Sequence, residues 1–176
     1  MKVNNTRRAV LRTVLLVGEG NAEVTFIEHL KALYVFRGCG IALKVKNAHG
    51  MGALHAVEVA IRQSRNAAFD VKAALLDTDT GWDDKTRTLA RKEKVLVVPC
   101  IPCLEAMLLS LLGDVQQAQS TDFYKKAFEK RFGKPAHATN LYAIHFSKEL
   151  LDKARVKSPE LESLLELLTA STKVTP

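Results

Sequence analysis

Four acidic positions draw attention because of what precedes them. Glu19 stands between Gly18 and Gly20, directly behind the apolar stretch of residues 13–17. Asp77 and Asp79, in Asp77-Thr78-Asp79, continue Ala73-Ala74-Leu75-Leu76. Glu105 follows Pro102-Cys103-Leu104, with Leu108, Leu109 and Leu112 further along the same helical stripe. Carboxylates held together repel one another unless a cation, a proton or a basic neighbour neutralises them. A cluster of oxygen donors matches Mg²⁺ or Mn²⁺ rather than a soft metal. Each acid also has a structural reading: Asp77 and Asp79 as turn formers or caps, Glu105 as a complement to a helix dipole, Glu19 as a turn residue. Their conjunction is what points to chemistry.

The elements that would have to position them are legible. Residues 13–17, 41–45, 71–76 and 94–98 are short apolar, β-rich runs that read as strands. Phe26, Ile27, Leu30, Leu33 and Tyr34 recur at helical spacing over residues 22–36, and Leu54, Val57, Ala60 and Ile61 mark a second helix. A short helix is expected near 83–92. Strands alternating with helices predict an α/β fold with a parallel sheet covered on both faces. In such a sheet the carboxyl ends of all strands share one edge, where ligands bind. Glu19, Asp77, Asp79 and Glu105 are thus expected on one rim. After Pro102 the pattern is purely helical, with helices expected at 121–132, 147–156 and 159–169. The expected organisation is an α/β core over 1–115 and a C-terminal helical extension over 116–176 packed on that core.

Composition excludes several classes. The 176 residues suffice for a core without disulfides, and no apolar run is long enough to cross a bilayer. No secretory signal is apparent, so a cytoplasmic location and no membrane partner are expected. Cys100-Ile101-Pro102-Cys103 has the spacing of a redox pair or half a zinc site, but no second ligand pair exists. Two small apolar residues at a strand-to-helix turn is the favoured reading. The net charge is +7. Lys2, Arg7, Arg8 and Arg12 precede the first strand, and Lys125, Lys126, Lys130, Arg131 and Lys134 form a second basic run. Such surfaces suit DNA or RNA.

Leu15-Leu16-Val17-Gly18-Glu19-Gly20-Asn21-Ala22-Glu23, then Leu75-Leu76-Asp77-Thr78-Asp79, resembles the two motifs of the Toprim domain. Pro102-Cys103-Leu104-Glu105 resembles the RloB-like and OLD-related members in particular. The resemblance spans about residues 12–113. It implies a Toprim-like (Rossmann-like) four-stranded parallel sheet between helices and Mg²⁺-dependent (or Mn²⁺-dependent) chemistry on phosphodiesters. It implies Glu19 as general acid or base, Asp77 and Asp79 as metal ligands, Glu105 as a further ligand and Glu23 as a supporting one. Lys125, Lys126, Lys130 and Arg131 are the nucleic-acid-binding candidates.

Within that resemblance the chain departs from topoisomerases, which need a catalytic tyrosine on a separate domain, and from primases with a zinc module. Hydrolysis is left, by a nuclease acting on DNA or RNA in phage defence or repair. The alternative is a latent or non-catalytic subunit that acts with an ATPase partner, since the chain has no GxxxxGK[ST] loop. Leu161, Leu164, Leu165 and Leu168 would offer a docking face for such a partner or a homodimer seam, unless they are core. A phosphatase or nucleotide hydrolase is a weaker third reading. Trp82 is read as packing rather than base stacking, and Asp83 and Asp84 as a helix cap and first turn. The loop His49-Gly50-Met51-Gly52 is read as a turn that could approach a phosphate.

Overall fold

The interior of the sheet is built from the two most apolar runs. The computed structural model describes residues 10–114 and 118–169, so Lys2, Arg7 and Arg8 of the basic N-terminal surface lie outside the described residues. β1 (Arg12–Gly18) and β3 (Val71–Asp77) lie side by side, flanked by β2 (Ile41–Asn47) and β4 (Leu96–Cys100) in the order β2-β1-β3-β4. All pairings are parallel. Val14, Leu15, Leu16 and Val17 are all buried, as are Ala73, Ala74, Leu75 and Leu76. Successive side chains of a strand face opposite ways. A run apolar at every position therefore needs cover on both faces, and this one has it.

Val14, Leu16, Ala73 and Leu75 pack towards α1 (Asn21–Tyr34) and the C-terminal helices. Leu15, Val17, Ala74 and Leu76 pack towards α2 (Ala53–Asn66) and α3 (Asp84–Lys92). The chain leaves β1 for β2 on one side, whereas β3 is followed by β4 on the other. The carboxyl ends of β1 and β3 therefore flank a topological switch point, where open α/β sheets place their ligands. The expected α/β class, a four-stranded parallel sheet between helices, is what the chain forms.

The C-terminal half comprises α4 (Leu104–Leu111), α5 (Thr121–Phe132), α6 (Thr139–His145), α7 (Lys148–Ala154), a 3₁₀ turn (Arg155–Lys157) and α8 (Pro159–Leu168). It shares one apolar cluster with the sheet: Phe128, Tyr142, Phe146 and Leu151 join Phe26, Ile27 and Leu30. The Tyr34 hydroxyl donates to Asp152 Oδ1 at 2.8 Å, fastening α1 to α7. Leu161, Leu164, Leu165 and Leu168 are fully buried in this cluster. They are core, not a docking face, and burial of each contributes about 1.5–3 kcal/mol. The boundary expected near residue 115 falls beside residues 115–117, which lie outside those described. Among the described residues no helix is long and apolar enough to cross a membrane.

Candidate functional site

At the switch point the backbone passes through a tight corner. The Glu19 N–H donates to the Leu75 carbonyl at 3.0 Å, so the β1–β3 ladder runs into the turn itself. The Glu19 carbonyl accepts from Gly50 N–H at 2.7 Å, tying the loop after β2 to the same place. Only a glycine fits at position 18. A Cβ there would lie 2.8 Å from both the backbone nitrogen and a methyl of Val24, on the helix that starts at Asn21. Gly18→Ala is therefore expected to push α1 off β1 and destabilise the chain by about 1–3 kcal/mol, read as a lowered thermal midpoint. An unchanged midpoint would show that the corner tolerates the shift.

Glu19 Oε2 accepts from the Asp77 backbone N–H at 3.1 Å, a direct link between the two strand ends. Asp77 Oδ1 accepts from Leu104 N–H at 2.9 Å, which seats this carboxylate at the N-terminus of α4. The segment between β4 and α4 makes that approach. Thr78 N–H donates to the carbonyls of Cys100 and Pro102, at 3.1 and 3.0 Å, and the Ile101–Pro102 peptide is cis. Glu23 Oε2 accepts from Gly20 N–H at 2.7 Å, bracing the corner from the first turn of α1. Glu19, Glu23, Asp77 and Glu105 line one cavity of about 400 Å³, with Lys125 and Glu129 of α5 on its wall.

Burial and mutual repulsion dominate the electrostatics. Desolvation pushes the Glu19 carboxyl up to about 7, against the Asp77 N–H, with the charges of Glu23 and Asp79 adding to the rise. Desolvation, then Glu23, Glu105 and Glu19, push Asp77 up to about 8, opposed by Leu104 N–H. Glu23 is likewise raised, first by burial. Lys125 shows the complement: desolvation pulls its ammonium down, but Glu105 and Asp77 prevail and hold it above its ordinary value. The cavity thus has a surplus of negative charge that a cation would relieve. Its acidic donors are all carboxylate oxygens, the preference of a hard divalent ion. Among the described residues no three Asp, Glu, His or Cys side chains converge as a ready-made cage of direct ligands. Mg²⁺, which keeps several waters and takes one or two carboxylates, does not require one.

The structure brings together Glu19, Glu23, Asp77, Glu105 and Lys125. Asp79 is different. The strand ends at Asp77, and the chain turns away through Thr78 instead of remaining extended. Asp79 is exposed and outside the cavity lining, although its charge is felt at Glu19 and Lys125. The basic run also divides. Lys125 faces the acids, whereas Lys126, Lys130 and Arg131 line a separate cavity on the other side of α5. Glu129 and the stretch Pro135-Ala136-His137, which complete the acidic cavity, were missed by sequence reasoning. The spacing of Lys125 and Glu129, one helical turn apart, is the signal that could have paired them.

Other readings are settled locally. Trp82 packs against the α2–α3 cluster beneath the Arg87 guanidinium, 5.4 Å from its ring. Asp83 caps α3 by accepting from Thr86 N–H at 2.8 Å, and Asp84 pairs with Arg87. Cys100 and Cys103 are buried free thiols; burial raises Cys100 well above its ordinary value and pushes Cys103 up to about 12. They are protonated packing groups at neutral pH, not a reactive dithiol. A larger cavity of about 680 Å³ lies between the end of α4 and α7, but it gathers no carboxylate cluster.

Fold and site together define a class: an α/β chain with a Rossmann-like parallel sheet and a carboxylate-lined cavity at its switch point. No protein-family model, curated protein or solved structure matches the chain.

Proposed function

We propose that this protein is a divalent-metal-dependent nuclease that hydrolyses phosphodiester bonds of DNA or RNA in the cavity lined by Glu19, Asp77 and Glu105. The observation that carries this reading is the meeting of Glu19 and Asp77 at the switch point, bridged by the 3.1 Å bond from Asp77 N–H. Asp77 and Glu105 are the residues that would hold Mg²⁺ or Mn²⁺, each buried, with Lys125 beside them on the cavity wall. A bound divalent ion supplies charge neutralisation at the phosphate and a more acidic water.

The rest falls to the chain's own side chains. Glu19, a carboxylate held at the strand end beside Asp77, would take a proton from attacking water or return one to the leaving oxygen. Lys125, kept protonated by its acidic neighbours, faces the charge that develops on the phosphate. Glu23 holds the Gly20 corner and so the direction of Glu19. The Toprim resemblance implies these roles for Glu19 and Asp77, and it adds Asp79, whose exposed carboxylate is felt at Glu19 and Lys125.

The test is purified protein with labelled single- and double-stranded DNA and RNA, in Mg²⁺, Mn²⁺ or chelator. Cleavage that needs the metal, and that is lost in a folded Glu19→Gln variant, supports the assignment. A folded chain that cuts none of these polymers refutes the stand-alone nuclease. Cutting restored by an ATPase partner would then favour the latent-subunit reading.

A further inference from the structure

The division of α5 into two faces leaves a second cavity to explain. It measures about 590 Å³ and lies along the outward side of α5 and the C-terminal end of α4. Leu109 and Ala127 give it apolar wall, and Phe123, a large ring left 38% exposed, stands at its edge. Phe123 meets Tyr124 edge to face, with centroids 5.7 Å apart and planes at 85°. Around it are Lys126, Lys130 and Arg131. The single acid on the wall, Asp114, is paired with Arg131 at 2.9 Å. Lys126 and Lys130 are exposed, and neither is in an ion pair among the described residues. An exposed aromatic beside unneutralised cations, in a hollow of nucleotide size, has the chemistry of a stacking platform with a phosphate clamp. Duplex DNA or RNA would use the cations but has no free base face to offer the ring.

We propose that this cavity receives an unpaired nucleotide of a single-stranded polynucleotide, its base against Phe123 and its flanking phosphates on Lys126 and Lys130. As a statement about the substrate it rests on the nuclease reading, with the strand crossing α5 from this cavity to the one that holds Lys125. As a binding site it is testable alone.

Labelled oligonucleotides, DNA and RNA, single-stranded and duplex, are titrated in EDTA by fluorescence anisotropy, so that no cleavage intervenes. Single strands should bind more tightly than duplex of the same sequence. Phe123→Ala should weaken single-strand binding by roughly 5- to 150-fold, the range for losing one base stack, and Phe123→Tyr should restore most of it. Lys130→Ala should reduce the salt slope by about 0.7 for single strands. Lys130 is exposed, so Lys130→Ala should keep its thermal midpoint; if Phe123→Ala, which removes a ring only 38% exposed, lowers its own, the salt slope of Lys130→Ala and the preference for single strands still decide. The comparison of DNA with RNA names the polymer. Equal affinity for duplex, unchanged binding by Phe123→Ala, or equal competition by a polyglutamate peptide would overturn the proposal and leave only a basic surface. Tight single-strand binding without cleavage in Mg²⁺ would refute the stand-alone nuclease and spare this site. Cleavage with binding indifferent to Phe123 would do the reverse.

Discussion

Asp77→Asn is expected to reduce metal-dependent cleavage by on the order of 10³-fold while leaving the chain folded and, without metal, more heat-stable at pH 8. Asparagine has nearly the same shape, and its side-chain oxygen can keep the bond from Leu104 N–H that seats Asp77 at α4. What disappears is a buried negative charge facing Glu23, Glu105 and Glu19. That charge opposes folding because burial penalises it and its neighbours repel it. Under the proposed mechanism it is also what draws the divalent ion to the cavity, so one substitution should move activity and stability in opposite directions. Most substitutions at buried positions lower both. Single-turnover cleavage and a thermal melt on the same preparation make the comparison. Wild-type cutting by the variant would remove Asp77 from the machinery. A lowered midpoint with lost activity would recast Asp77 as a structural cap of α4.

The parts of this arrangement that could be read from sequence are those fixed by local periodicity. The interior strands announce themselves because residues 14–17 and 73–76 are apolar at every position, which only a sheet covered on both faces requires. From that, the convergence of Glu19, Asp77 and Glu105 follows by topology alone. Long-range packing was less visible. The leucines of α8 carry the same spacing whether they meet a partner or the sheet, and only the fold shows that they are core. α6 escaped because it is a seven-residue helix without a side-chain cap, too short to display a period. A strand continuing past Asp77 would set Asp79 on the same side, but Thr78 commits its N–H to the β4–α4 turn and the strand ends. The basic run 125–131 is continuous along the chain but not in space, since on a helix neighbouring lysines point about 100° apart. Lys125 and Lys130 accordingly serve different cavities.

The second large effect concerns pH and metal together. The folded chain keeps protons on Glu19 and Asp77, with carboxyls near 7 and 8, that an unfolded chain has released above about pH 4. Folding stability from these groups is therefore complete below that value and declines as pH rises through the folded values of about 7 and 8. A divalent ion reverses the loss, because it binds the deprotonated carboxylates and only in the folded state, where they are gathered. At about a hundredfold excess over its dissociation constant the gain is about 2.7 kcal/mol. For a chain of this size that corresponds to a rise of about 5–10 °C in thermal midpoint. The rise should be largest near pH 8 and small near pH 5.5, where protons already occupy the site. NaCl at matched ionic strength should not reproduce it, since screening by salt acts weakly on buried charges. Asp77→Asn should flatten both the pH decline and the Mg²⁺ response, and this double loss is what ties them to one cavity. An Mg²⁺ shift of equal size at both pH values, or one that survives Asp77→Asn, would place the ion elsewhere on the protein and detach the acidic cluster from metal chemistry.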